Sequence, residues 1–209
     1  MANSDALLGE DRQTLIRTRD VYQTAVDDGV AGYSDTLLSV VANFKNAGAP
    51  EGFNAQSMVG KSKRGEVALR LFAVIDEERD VILKMGFKAR GCLAMTACAS
   101  MICMMAEGKS LSAALAIAPD DLKRALDGVP WDKANTTLFA VEGMRALVGD
   151  WLIRRGATRA ELDRDLPCDA DSVECLMCEH CSLRDSRIDL LVAEAVSGAE
   201  NDEATGEVS

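Results

Sequence analysis

Lys88-Ala89-Arg90-Gly91-Cys92-Leu93-Ala94-Met95-Thr96-Ala97-Cys98-Ala99-Ser100-Met101-Ile102-Cys103-Met104-Met105-Ala106-Glu107-Gly108-Lys109 is the stretch on which the fold turns. A short extended run, Val81 to Met85 and then Phe87, leads into it. Gly91 can take backbone angles closed to other residues. Cys92 follows at once, and behind it comes a helix of small residues and methionines. Cys92 is therefore expected at or just before a helix N-terminus, where unpaired N–H groups and the helix dipole favour a thiolate. Packing is the competing role, since free cysteine is also a common small buried residue. Gly108 is the expected stop of the helix.

Around this centre the chain reads as strands and helices. Phe53 to Val59 is a weak strand, Glu66 to Ile75 alternates as a well-buried one, and Val81 to Lys88 returns as a third. Short turns between them predict an α+β domain: a small three-stranded antiparallel sheet packed against several helices. The loop Gly60 to Gly65 is basic but lacks the glycine spacing of a phosphate-binding loop. A helix is expected from Ser34 to about Lys45, capped by Ser34 or Asp35. Short helices follow from Ser110 and from Pro119, then an exposed loop from Gly128 to Lys133. A long helix runs to about Arg154, capped by Asn135 or Thr136, with Leu138, Val141, Ala146 and Leu147 inward. On the central helix, Met95, Ala99, Ile102 and Ala106 form the core stripe. At about 100° per residue, Cys92, Cys98 and Cys103 point in different directions, so the last two read as packing residues.

The chain divides into an N-terminal helical extension (1–32), the domain proper (33–156), a cysteine-rich extension (157–197) and a disordered acidic tail (198–209). Its 209 residues carry a formal charge of −11, which argues against a nucleic-acid partner. No apolar run approaches the roughly 20 residues of a membrane span. The N-terminus lacks a secretory pattern, and the cytoplasm is the expected compartment. Seven cysteines then read as metal ligands or reactive thiols rather than disulfides. One histidine, His180, leaves little room for histidine-based catalysis.

Several segments, in order, resemble the IscU/NifU N-terminal family of iron–sulfur cluster scaffolds. They are Tyr33-Ser34-Asp35 with Asn43-Phe44-Lys45-Asn46-Ala47-Gly48, then Met58-Val59-Gly60 and Gly65-Glu66-Val67, then Phe87 to Cys92 and Glu107-Gly108-Lys109-Ser110-Leu111. The resemblance covers about residues 33–154. It implies an IscU-like fold, no enzymatic activity and no catalytic residues. It also implies protein partners, a cysteine desulfurase or a recipient iron–sulfur protein, and it leaves open an oligomer or a place in a larger complex. The departures are chemical. Where the family offers three cysteines and an aspartate, this chain has Arg64, Glu66, Cys92 and, near the third cysteine, Asn135-Thr136. Cys92 is left as an auxiliary thiol and Glu66 as a lone carboxylate. Arginine cannot ligate iron and threonine is a poor soft-metal ligand. The family's chaperone-recognition segment is only partly kept, in Val129-Pro130-Trp131-Asp132-Lys133.

Cys168-x6-Cys175-x2-Cys178-x2-Cys181 is the strongest chemical signal. A C-x2-C-x2-C run lets three thiolates wrap one face of a four-iron cluster, and a fourth cysteine after a proline, Cys168 after Pro167, completes the set. Zinc competes: Cys175, Cys178 and Cys181 with Cys168 or His180 make a tetrahedral set. Redox-active or merely exposed thiols are the third option. The expectation is a divergent cluster scaffold, carrier or accessory protein with a 4Fe–4S cluster on the tail. The alternative is a structural or regulatory subunit with a zinc-stapled tail.

Overall fold

The structure, a computed structural model, describes residues 30, 32–62, 65–168 and 180–206, with side chains as far as residue 197. The expected N-terminal helix, Arg64, Cys175 and Cys178 lie outside the described residues.

Three strands form one antiparallel sheet in the order β1 (Ala55–Lys61), β2 (Val67–Asp76), β3 (Val81–Ala89). The register explains the core. Val59 faces Leu69 and Ser57 faces Leu71 on one side of β2. Ala89 faces Leu69, Phe87 faces Leu71 and Met85 faces Ala73 on the other. These residues share one side of the pleat, and all but the half-buried Ala89 are buried. On the opposite side, Phe72 carries the ring of Phe53 at 5.2 Å and the ammonium of Lys88 at 5.6 Å. The β2–β3 turn is made by Asp76, whose Oδ1 accepts from the N–H groups of Glu78 and Arg79.

Seven helices occur among the described residues: α1 (Asp35–Asn43), α2 (Leu93–Ala106), α3 (Leu111–Leu115), α4 (Pro119–Ala125), α5 (Asn135–Arg154), α6 (Arg159–Asp165) and α7 (Ser182–Gly206). Helix α2 packs on β3, and α5 covers β1 and β2. Close approach of α5 runs through Gly143: a Cβ there would sit 3.1 Å from Leu71 and 3.3 Å from Leu69. Helix α1 lies on α2, and α7 lies along α5 and the edge strand β1. No described helix is long and apolar enough to cross a membrane.

Both outer strands have their free edges paired. On β1, the N–H of Gln56 donates to Asp150 Oδ2 at 2.9 Å and that of Met58 to Ser182 Oγ at 3.1 Å. On β3, Phe87 exchanges hydrogen bonds with Asn46 and Gly48, Met85 N–H donates to Glu107 Oε1, and Ile82 pairs with Gly108 and Lys109.

The expected fold class holds, and several local expectations change. Ser34 does cap α1, its hydroxyl accepting from Leu37 N–H at 3.0 Å. Helix α2 is buried on nearly every side, not along one stripe, because alanine, serine and cysteine let neighbours close in all round. Helix α5 has no side-chain cap: the hydroxyls of Thr136 and Thr137 instead donate back to the carbonyls of Lys133 and Ala134. Leu138, expected inward, is exposed, since the first turn of α5 turns Thr136 and Thr137 to the body instead. Helix α7 runs on to Gly206, so the backbone is helical through most of the stretch expected as a disordered tail.

Candidate metal centre

Cys92 stands where the sequence puts it, at the N-cap of α2, half-buried and with extended backbone angles. Gly91 has φ +158, which lets the chain swing from β3 into the helix. Around the thiol the chain brings a 3-10 turn, Trp131–Lys133. Lys133 makes an ion pair with Asp132 at 2.9 Å. That hydrogen-bonded carboxylate raises the ammonium, and Cys92 and Tyr33 lie near enough to add to the shift. Trp131, the neighbouring residue, is 91% exposed.

The other donors expected here are engaged elsewhere. Glu66 is held by Arg90 at 3.2 Å. Thr136 donates to Lys133 O at 2.8 Å and meets the Cys98 sulfur at 3.4 Å. Cys98 and Cys103 are fully buried, as packing residues should be. Burial pushes the Cys98 thiol up to about 12, and burial raises Cys103 in the same direction, with the charge of Glu107 adding to it. One accessible thiol and one ion-paired carboxylate do not make a soft four-donor set, so the body does not fit an iron–sulfur cluster.

The tail is anchored at both ends of its cysteine run. Cys181 is buried and forms a β-bridge to Val59 on the edge of β1. It precedes Ser182 at the start of α7, where the N–H groups of Leu183 and Arg184 favour its thiolate. Burial raises this thiol, those two donors oppose the rise, and Cys168 and Glu142 add to it. Cys168 is exposed, and Arg187 of α7 donates to its sulfur at 2.7 Å. Arg145 of α5 donates to the carbonyl of Pro167, one residue before. Cys168 and Cys181 are 13 positions apart in sequence, and the first lies near enough to add to the rise of the second. His180 is half-buried beside them in sequence.

Cys181 also stands in a cross-sheet row: it pairs with Val59, Val59 with Leu69, and Leu69 with Ala89. Three strand spacings make that row roughly 14 Å long, and Cys92 follows Ala89 by three residues. Tail and body thiols therefore occupy the same end of the sheet. Among the described residues, no three His, Cys, Asp or Glu side chains converge as a metal site. Arg187, Arg145 and Ser182 were not read from the sequence as part of this centre. No spacing rule ties them to the cysteines: Arg187 is 19 residues from Cys168 and Arg145 is 22 from Pro167.

Comparison with known proteins matches the domain and stops short of the tail. The family model described as NifU-like N terminal domain matches residues 32–158. Nitrogen fixation protein NifU from Azotobacter chroococcum mcd 1 is 36% identical over 119 residues, 57% of this chain and 38% of that protein. The chain thus spans well under half the length of that relative. Iron-sulfur cluster assembly scaffold protein IscU from Aquifex aeolicus is 30% identical over 124 residues, 59% of this chain and 78% of that protein. The solved structure of a nitrogen-fixing NifU-like protein (N-terminal) from Brucella abortus matches with a TM-score of 0.46 at 15% identity, covering 59% of this chain and 95% of that one. Cys168 and Cys181 lie beyond residue 158, where the family match ends.

Proposed function

This chain belongs to the family of NifU-like N-terminal domains, and from that premise we propose that it handles an iron–sulfur cluster as a divergent scaffold, carrier or accessory protein. The cluster is cargo, held by Cys168, Cys175, Cys178 and Cys181 of the tail instead of at Cys92. The observation that carries this is the contrast between the two places. The body offers a single accessible thiol, with Glu66 paired to Arg90 and Thr136 tied to Lys133. The tail has its two described thiols at the ends of one cysteine run, Cys181 at the start of α7 and Cys168 under Arg187. Those positions suit sulfur that carries negative charge, as ligating thiolate does. Cys175 and Cys178 lie in sequence between the two anchors, at a spacing that suits one face of a cubane. A cysteine desulfurase or a recipient iron–sulfur protein is the partner that such a role requires.

Metal analysis of the anaerobically purified full chain tests this. About four iron and four labile sulfide per chain are expected, lost in Cys175→Ser and kept in Cys92→Ser. One zinc per chain with no iron overturns it, and assigns the protein instead as a structural or regulatory subunit with a stapled tail.

A further inference from the structure

We propose that Arg187 is a positioning residue for the tail site: its guanidinium fixes the Cys168 sulfur and balances the charge that ligation places on it. This rests on the tail cysteines being the ligands. The side chain of Arg187 is only 12% exposed, and it reaches four groups at once. One terminal nitrogen donates to Cys168 Sγ at 2.7 Å. The other donates to the carbonyls of Leu162, at 3.0 Å, and Leu166. Nε lies 2.9 Å from Asp163 Oδ1. Leu166 is the C-cap of α6, and its carbonyl has no further turn to satisfy it, whereas that of Leu162 also accepts the Leu166 N–H at 2.9 Å. Leu166 and Cys168 are two residues apart. One guanidinium therefore holds both the backbone leading into the ligand and the ligand atom.

Only arginine meets this demand. A planar fork of N–H donors can serve a sulfur and two carbonyls while its charge lies beside a carboxylate. A lysine ammonium keeps the charge, yet its three donors radiate from one atom. Asp163 does not cancel the charge of Arg187 outright, because Arg159 also claims it at 3.2 Å. Positive charge is thus left for the sulfur. Groups that hydrogen-bond to metal ligands set ligand orientation, and their loss commonly weakens metal binding on the order of tenfold or more.

The test compares the full-length metal-loaded chain with Arg187→Gln, Arg187→Lys and Arg159→Gln, reading the rate of metal release to a chelator. For an iron–sulfur cluster the midpoint potential is read as well. Arg159→Gln cuts the contact to Glu194 that joins α6 to α7, and the contact to Asp163 within α6, but leaves the sulfur contact whole. Arg187→Gln is expected to release metal roughly tenfold faster with a lower potential, since a donor to a ligating sulfur is lost. Arg187→Lys should fall between it and wild type, and Arg159→Gln should match wild type. Release from both Arg187 variants at the wild-type rate overturns the proposal, as does equal acceleration by Arg159→Gln. Should Arg187→Gln not fold, Arg187→Lys decides by the same criterion. A wild-type chain that purifies with neither iron nor zinc sinks the ligand assignment itself, a different failure from metal bound normally without Arg187.

Discussion

Thr136 hands its hydroxyl proton to the carbonyl of Lys133 at 2.8 Å while its oxygen sits 3.4 Å from the buried sulfur of Cys98. In the sequence, this is close to where the scaffold family offers its third cysteine. Here the position is 3% exposed and serves the junction of a 3-10 turn with α5. Thr136→Val is expected to cost about 1 kcal/mol of stability, the net value of a buried hydrogen bond. Urea denaturation measures that, and metal content should be unchanged in the variant.

The two fully buried thiols give the fold an alkaline limit. Cys98 rises from the ordinary 9.0 to about 12 through burial, and Cys103 rises in the same direction. The folded chain keeps these protons where the unfolded chain releases them. Their contribution is therefore complete below about pH 9 and is lost as pH climbs towards 12, at up to about 1 kcal/mol per pH unit for each thiol. Denaturation of wild type and of Cys98→Ala/Cys103→Ala across pH 7 to 11 should show parallel curves at the low end. The wild-type curve should fall more steeply above pH 9.

Asp80 joins the β2–β3 turn to α5. Its backbone stands at φ +50. One carboxylate oxygen accepts from Trp151 Nε1 at 3.1 Å and from Arg155 at 2.7 Å. Trp151 is 3% exposed, so removing its acceptor strands a buried indole N–H. Asp80→Ala is expected to lose about 2 kcal/mol and Asp80→Asn much less. Thermal denaturation followed by tryptophan emission reports it, with acrylamide quenching of the exposed Trp131 as the internal contrast.

Gly86 on β3 lets the 46–48 segment close on the sheet. A Cβ at Gly86 would fall 2.1 Å from the carbonyl oxygen of Gly48. The clash is with backbone, which cannot rotate aside, and the Gly48 N–H is already bonded to Phe87 O at 2.7 Å. Gly86→Ala should cost about 3 kcal/mol. Gly156→Ala, with open space but φ +88, should cost about 1 kcal/mol for its backbone alone. Urea midpoints of the two variants give the comparison.

Local chemistry made much of the fold legible. Alternation in Val67–Asp76, the hydroxyl of Ser34 and the glycine before Cys92 each act within a few residues, and each element formed within two or three residues of its expected bounds. The misreadings arose where tertiary contact outweighed local preference. Asn135 and Thr136 look like caps, yet Thr136 is drawn inward by Cys98 and Lys133. The alanine-rich α2 carries too weak a stripe to tell that it is buried all round. In the candidate site, cysteine spacing was visible and its support was not. Arg187 meets Cys168 across 19 residues and Cys181 meets Val59 across 122, separations at which no periodicity speaks.

A sheet of three strands has two outer strands and a single inner one, so most of its backbone is exposed to chance partners. In this protein the 46–48 segment, Glu107 and the 108–109 turn fence one margin. Asp150, Cys181 and Ser182 fence the other. The residues that bring the cysteine run to the body thus double as a guard rail. A chain clipped before Cys181 would lose one of its four tail thiols and at the same time bare part of a strand open to intermolecular β-pairing, so insolubility would accompany loss of metal.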